Sequence, residues 1–116
     1  MPADTDLSFL KGAILHEISV GENQAVLRFD RQISIRIESE FRVVEVGGKD
    51  VVSAEFGAGA SALLSLLPDA VASASVGREA GTLRLLFVTG RCLEIYDTEQ
   101  HYESYCIRHG DREIVV

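Results

Sequence analysis

The sequence lacks an apolar run long enough for a membrane-spanning helix, which needs about 20 residues. Its longest apolar-rich stretch, residues 58–74, is interrupted by Pro68, Asp69 and several serines. The N-terminal residues also lack the basic start and the apolar segment of a secretory signal peptide. We therefore expect a cytoplasmic protein that makes no membrane contact.

Cysteine is scarce, with only Cys92 and Cys106 among 116 residues. Two cysteines are too few for the disulfide framework of a small secreted domain, so free thiols are expected. With His101 and His109 they give the spacing C-x8-H-x4-C-x2-H, which matches no zinc motif. If this segment is a strand, Cys106 and His109 face opposite sides. We therefore expect no bound metal.

Basic residues are in the minority, since eleven Lys and Arg against eighteen Asp and Glu give a net charge of −7. This balance argues against a protein that binds nucleic acid. No Ser or Cys lies in a turn typical of a catalytic nucleophile. Residues 57–62 read GAGASA, a glycine motif that binds nucleotides only within a βαβ unit, and that context is weak here. The sequence thus predicts no catalytic residue and no cofactor.

Alternation of apolar and polar residues is frequent along the chain and is typical of half-buried β-strands. Residues 33–37, which read ISIRI, show it most clearly. In the first such segment Ile14, His16 and Ile18 share one face, so we interpret His16 as a core or rim residue. Leucines at helical spacing before Pro68 instead predict a helix over residues 58–67, with Ser61 as its N-cap.

The two halves of the chain resemble each other. Residues 12–46 and 69–108 each contain three strand patterns, with a Ser-Val-Gly corner after the first. We interpret them as an internal duplication joined by the Leu-rich helix. The sequence predicts a single α+β domain over residues 1–116, in which a mostly antiparallel sheet of two similar three-stranded meanders packs one helix on a face. A partly open β-barrel is the alternative.

Three tyrosines lie close to acidic residues near the C-terminus. Tyrosine supplies contact area with little loss of rotamer freedom, and acidic residues attract basic partners. We predict that this segment forms a surface that recognises a protein partner. Its residues are Tyr96, Asp97, Tyr102, Glu103 and Tyr105.

The last forty residues also carry two motifs. Residues 81–90 read GTLRLLFVTG, and residues 102–107 read YESYCI. This G-x-L-x-x-x-F-x-x-G hairpin followed by a YES/A-W-like motif, with Tyr105 where Trp is usual, resembles a family of small uncharacterised bacterial cytoplasmic proteins. The resemblance implies a domain of unknown function without an established activity. It also implies a likeness to small acidic proteins that act as immunity or antitoxin partners.

These observations together predict a small acidic binding protein without catalytic activity. Its most concrete form is an immunity-type inhibitor of a basic protein partner. A homodimer joined through an exposed sheet edge is a further possibility. The alternative is a small-ligand binder or enzyme that uses a cavity between the helix and the sheet.

Overall fold

The computed structural model of the chain describes residues 5–46, 50–53, 56–77, 81–97 and 104–116. Within these residues a 3-10 turn at Ser8–Leu10 is followed by ten strands and one α-helix. The elements are β1 (Leu15–Val20), β2 (Ala25–Phe29), β3 (Ile33–Ile37), β4 (Phe41–Val44), β5 (Asp50–Ser53), α1 (Phe56–Leu64), β6 (Val71–Val76), β7 (Leu83–Phe87), β8 (Cys92–Ile95), β9 (Tyr105–His109) and β10 (Arg112–Val115).

The strands form two five-stranded antiparallel sheets. Sheet 1 has the order β1-β2-β3-β9-β10, and sheet 2 has the order β5-β4-β8-β7-β6. The hairpin β9–β10 therefore joins β3, and the hairpin β4–β5 joins β8. One isolated bridge, between Ile14 and Ala70, connects the sheets, and neither closes into a barrel within the described part of the chain. The predicted mostly antiparallel fold with one helix is confirmed, but its strands are divided between two sheets.

The core lies on the inward faces of both sheets. In β3, Ile33, Ile35 and Ile37 are buried, whereas Ser34 and Arg36 point outward. The inward residues of the two sheets form one cluster, which includes Leu27, Phe41, Val43, Leu85, Leu93 and Ile107. Because each buried side chain of this size contributes about 1.5–3 kcal/mol, this shared core holds the sheets together.

The first strand departs from the predicted alternation of inward- and outward-facing residues. A β-bulge separates the pair Leu15–Phe29 from the pair Glu17–Arg28. Leu15 is consequently buried and Ile14 is exposed, while His16, the extra residue, faces solvent. The prediction that His16 lies on the apolar face was wrong because the bulge shifts the alternation by one residue.

The helix begins earlier than predicted. α1 starts at Phe56, five residues before the predicted N-cap Ser61, and it is preceded by the strand β5, which the sequence did not predict. After α1 the chain continues in a tight turn, in which the Leu66 N–H donates to the Leu63 carbonyl at 3.0 Å. Both side chains are buried in the core. Among the described residues, no helix has the length and apolar character needed to span a bilayer.

Two crossing segments carry the chain between the sheets at the same end of the molecule. Residues 38–40 lead from β3 to β4, and the second segment leads from β8 to β9. The Tyr96 N–H donates to the Glu40 carbonyl, and the Glu38 N–H donates to the Ser104 carbonyl, both at 2.9 Å. The buried Ser39 hydroxyl donates to the Tyr96 carbonyl at 2.5 Å. These bonds hold the two crossings side by side.

Candidate functional site

Of the five residues of the predicted recognition surface, the structure describes three, and it does not place these three together on one surface. Tyr102 and Glu103 lie outside the described residues. Asp97 is exposed and Tyr96 is half-buried, whereas Tyr105 is only 1% exposed. Tyr105 therefore belongs to the core, and its assignment to a contact surface has to be corrected.

Tyr105 faces inward because it alternates with outward-facing residues along β9. Its neighbours Cys106 and Arg108 lie on the outer face, and Ile107 shares its inner face. The hydroxyl of Tyr105 donates a hydrogen bond to the Gly81 carbonyl. Burial, with a smaller contribution from the charge of Asp97, raises the pKa of this hydroxyl well above its usual range. The period-two pattern of residues 105–108 could have indicated this orientation.

The Asp97 side chain packs tightly against Ser104 and Gly81. Its Oδ1 accepts a hydrogen bond from the buried Ser104 hydroxyl at 2.7 Å. Its carboxylate also lies against Gly81, where an added Cβ would be 2.6 Å from Oδ2. Gly81 has a φ of +81°, a conformation that side chains rarely adopt. Asp97 is exposed, but its carboxylate also stabilises the local structure through these contacts.

Tyr96 contacts one acidic residue through its side chain and another through its backbone. Its hydroxyl donates to Glu94 Oε1 at 3.3 Å, and its backbone N–H binds the carbonyl of Glu40, whose side chain is exposed. We call Glu38, Glu40, Tyr96 and Asp97 the acidic end. Sequence reasoning missed Glu38 and Glu40 because they are distant from Tyr96 in the chain, and only the pairing of the crossings brings them close.

The outer face of sheet 2 carries a carboxylate between two arginines. Arg84 on β7, Glu94 on β8 and Arg42 on β4 are direct neighbours in the strand register. The Glu94 carboxylate binds Arg42 at 3.1 Å and Arg84 at 3.2 Å, and its side chain is only 15% exposed. One carboxylate therefore binds both guanidinium groups, and this row of three residues has a formal charge of 2 − 1 = +1.

The outer face of sheet 1 also has two arginines, one on either side of a central residue, but that residue is a serine instead of a glutamate. One row crosses all five strands in register, and its members in order are Glu17, Arg28, Ser34, Arg108 and Glu113. Each arginine of the row binds the glutamate on its outer side at 3.0 Å. Ser34, in the centre, is too short to fill the space between them.

A groove of about 300 Å³ lies over this row. Its lining contains three arginines and one glutamate. Glu17 and Glu38, which lie just outside the lining, bind Arg28 and Arg36 at 3.0 Å, so the three arginines and their partners balance at 3 − 3 = 0. The Cys106 thiol donates to Glu113 Oε1 at 3.3 Å. Hydrogen bonds from Arg108 and then Cys106 lower the pKa of the Glu113 carboxyl. We call this the arginine groove, lined by Gln24, Val26, Arg28, Ser34, Arg36, Cys106, Arg108 and Glu113.

The cysteines and histidines are dispersed over the structure. Cys92 lies on sheet 2 and Cys106 on sheet 1, so the two buried thiols are on different sheets and do not form a disulfide with each other. The ring of His109 stacks on Phe9 with centroids 4.7 Å apart, and His101 lies outside the described residues. Among the residues that the structure describes, no three metal-binding side chains are grouped.

A second cavity, of about 280 Å³, lies beside the turn that follows α1 rather than between the helix and a sheet. It is lined by Ser65, Leu67, Pro68, Asp69, Ala70, Val88, Thr89 and Arg91. The glycine motif does not form a loop before the helix, because Gly57 and Gly59 both lie within α1.

Comparison with known proteins gives one match. The model of a protein family whose function is unknown matches residues 7–116, nearly the whole chain. No curated protein and no solved structure matches.

Proposed function

The chain belongs to this family of unknown function, DUF6188, and we propose that it is a non-catalytic cytoplasmic protein that binds a basic protein partner through its acidic end. The observation that carries the proposal is the pairing of the two crossing segments. It pairs the backbone of Tyr96 with that of the exposed residue Glu40, next to the exposed residue Asp97.

Tyr96 has the properties of a contact residue. Its ring is half-buried and its hydroxyl is bound to Glu94, so it presents an oriented surface rather than a mobile one. Aromatic side chains with a polar tip are enriched where partners make their strongest contacts. Tyr96 would therefore lose little conformational entropy on binding.

Charge supports a basic partner. The net charge of −7 attracts a basic molecule over a distance, and the carboxylates of the acidic end then favour the correct orientation. The most concrete form of this function is an immunity-type inhibitor that covers a basic surface of its partner. Its binding would depend strongly on salt because exposed charges are screened within about 10 Å at 0.1 M ionic strength.

Affinity capture with matched charge variants tests the proposal. The wild-type chain, Glu40→Lys and Asp111→Lys are immobilised and exposed to a lysate of the source organism. Both substitutions change the net charge by +2, but Asp111 lies in the β9–β10 turn, at the opposite end of sheet 1. We expect a basic protein to be retained by the wild type and by Asp111→Lys, and to be lost from Glu40→Lys and at high salt.

Two results would contradict the proposal. One is that the wild type retains no protein that high salt releases. The other is that Glu40→Lys retains the same proteins as Asp111→Lys, because contacts made by the acidic end would then play no part in the interaction.

We also propose that the two similar segments, residues 12–46 and 69–108, belong to a duplicated unit that comprises five strands, β1–β5 and β6–β10. Both units begin with a bulged strand, with the register shift after Leu15 in one and after Val71 in the other. Both first strands end at a glycine whose N–H closes the following turn, at 2.8 Å in Gly21 and 2.7 Å in Gly77. In both, the last hairpin pairs with the third strand of the other unit.

An alignment of many family members tests the duplication. The two units of each member should resemble each other, once aligned at the bulge, more than shuffled sequences of the same composition do. Similarity no greater than that of the shuffled sequences would contradict the proposal.

A further inference from the structure

We propose that the arginine groove of sheet 1 is a binding site for a phosphate group, held between Arg28 and Arg108. This site lies on a different surface from the acidic end and does not depend on the function proposed above. Three features of the described residues support it: a similar row of residues on sheet 2, the groove itself, and the ion pairs that position the arginines.

On sheet 2, a carboxylate of the chain itself is bound between two arginines, as we propose that a phosphate is bound on sheet 1. There, Glu94 on the middle strand reaches the arginine on each neighbouring strand, with contacts of 3.1 Å and 3.2 Å. Adjacent strands are about 4.8 Å apart, so the flanking residues are separated by about 10 Å at the backbone. An oxyanion at the centre of such a row can therefore be bound by both guanidinium groups.

Sheet 1 has the same row of three strands but lacks the central carboxylate. Arg28 on β2 and Arg108 on β9 both pair in register with Ser34 on β3. The serine side chain ends close to the sheet, and the space above it is part of the groove of about 300 Å³. An external oxyanion would occupy the place that the Glu94 carboxylate has in sheet 2.

The two arginines are positioned before any ligand arrives. Glu17 holds Arg28 from the outer side, and Glu113 holds Arg108 in the same way. A guanidinium has five N–H donors in a rigid fork, so one carboxylate contact does not use its binding capacity. Oriented forks of this kind match the oxygens of phosphate with little loss of side-chain freedom on binding.

The donor groups favour a phosphate on a small molecule or a single side chain. A phosphate monoester has three acceptor oxygens, so both arginine forks can bind it at once, whereas a monocarboxylate has only two oxygens to share between them. A long polyanion such as nucleic acid would be repelled by the rest of a molecule of charge −7.

Titration of the full chain with inorganic phosphate and with phosphoserine, followed by calorimetry and by NMR shifts, tests the site. Arg28→Gln and Arg108→Gln should each raise the Kd at least tenfold. Arg84→Gln, the same change on sheet 2, should leave the Kd unchanged. Ser34→Glu, which supplies the missing carboxylate, should abolish binding, whereas Ser73→Glu, which adds the same charge on sheet 2, should not. Circular dichroism of each variant checks that it is folded.

The two ligands distinguish the source of the phosphate. Similar affinities indicate a free phosphate or a small phosphorylated molecule, and a clear preference for phosphoserine indicates a modified side chain. The proposal is overturned if neither ligand binds saturably to the wild type, if succinate binds more tightly than both, or if folded Ser34→Glu binds as tightly as the wild type.

Discussion

At the scale of single residues, the buried hydroxyl of Tyr105 makes the stability of the fold depend on pH. The raised pKa of its buried hydroxyl means that the folded state keeps the proton at a pH where the unfolded chain, with an ordinary tyrosine pKa near 10, releases it. The contribution of this group to stability is therefore fully present below about pH 10 and is lost as the pH rises above that value. We expect the free energy of unfolding, measured with urea, to fall as the pH rises above about 10.

Tyr105→Phe separates this effect from the titration of other groups. The variant should be less stable at pH 7, by about 1–3 kcal/mol, because the Gly81 carbonyl loses its donor. Its stability should also decline less with alkaline pH. Tyr96→Phe, which removes the hydroxyl of a half-buried tyrosine, is the matched control and should retain the wild-type decline. An equally steep decline in Tyr105→Phe would contradict the assignment.

Gly81 is the second residue whose role can be measured directly. Gly81→Ala should lower the free energy of unfolding by about 1–3 kcal/mol, because the new Cβ would meet Asp97 at 2.6 Å and the φ of +81° would be strained. Gly21→Ala is a suitable control, since its Cβ would have ordinary contacts at 3.5 Å or more. Equal stabilities of the two variants would show that the close approach of Asp97 to Gly81 is absent.

At the scale of secondary structure elements, α1 and the turn after it contribute mainly through buried leucines. Leu66→Ala should lower the free energy of unfolding by about 2–5 kcal/mol because the Leu66 side chain is fully buried. Leu64, which is 46% exposed, provides the control, and Leu64→Ala should change stability by less than about 1 kcal/mol. Urea unfolding of the two variants measures the difference. If the two substitutions lowered the free energy of unfolding equally, the helix would pack on the sheets through another face.

The elements differ in how well the sequence predicts them. The strand with the strictest alternation, β3, was predicted at its observed position because alternation alone identifies a half-buried strand. The bulge in β1 was missed, since one extra residue leaves no local signal. β5 was also missed, because residues 50–53 adjoin an alanine- and glycine-rich segment that resembles a helix lead-in.

Local patterns could indicate only part of the candidate sites. Tyr96 and Asp97 were predicted because tyrosine and acidic residues are close together in that segment of the sequence. The contribution of Glu40 and the rows of charges on the two sheets could not be predicted, because they depend on which strands pair. Strand pairing is determined by packing of the whole core rather than by neighbouring residues.

At the scale of the whole molecule, the exchange of hairpins is the feature on which both proposed sites depend. The acidic end exists because the chain crosses between sheets twice at the same end. The arginine groove exists because β9, from the second half of the chain, lies beside β3 from the first. Because each sheet contains strands from both halves, we also expect the two sheets to unfold together as one cooperative unit.

NMR spectroscopy of the uniformly labelled protein tests this pairing most directly. Contacts between the backbone protons of opposite strands report which strands are neighbours, because paired residues lie about 4.5–5.5 Å apart. We expect cross-strand contacts between Ile35 and Ile107 and between Val43 and Leu93, which are partners in the two sheets. Contacts between Ile35 and Val43 instead, as in one continuous meander, would contradict the exchange of hairpins and remove the basis of both sites.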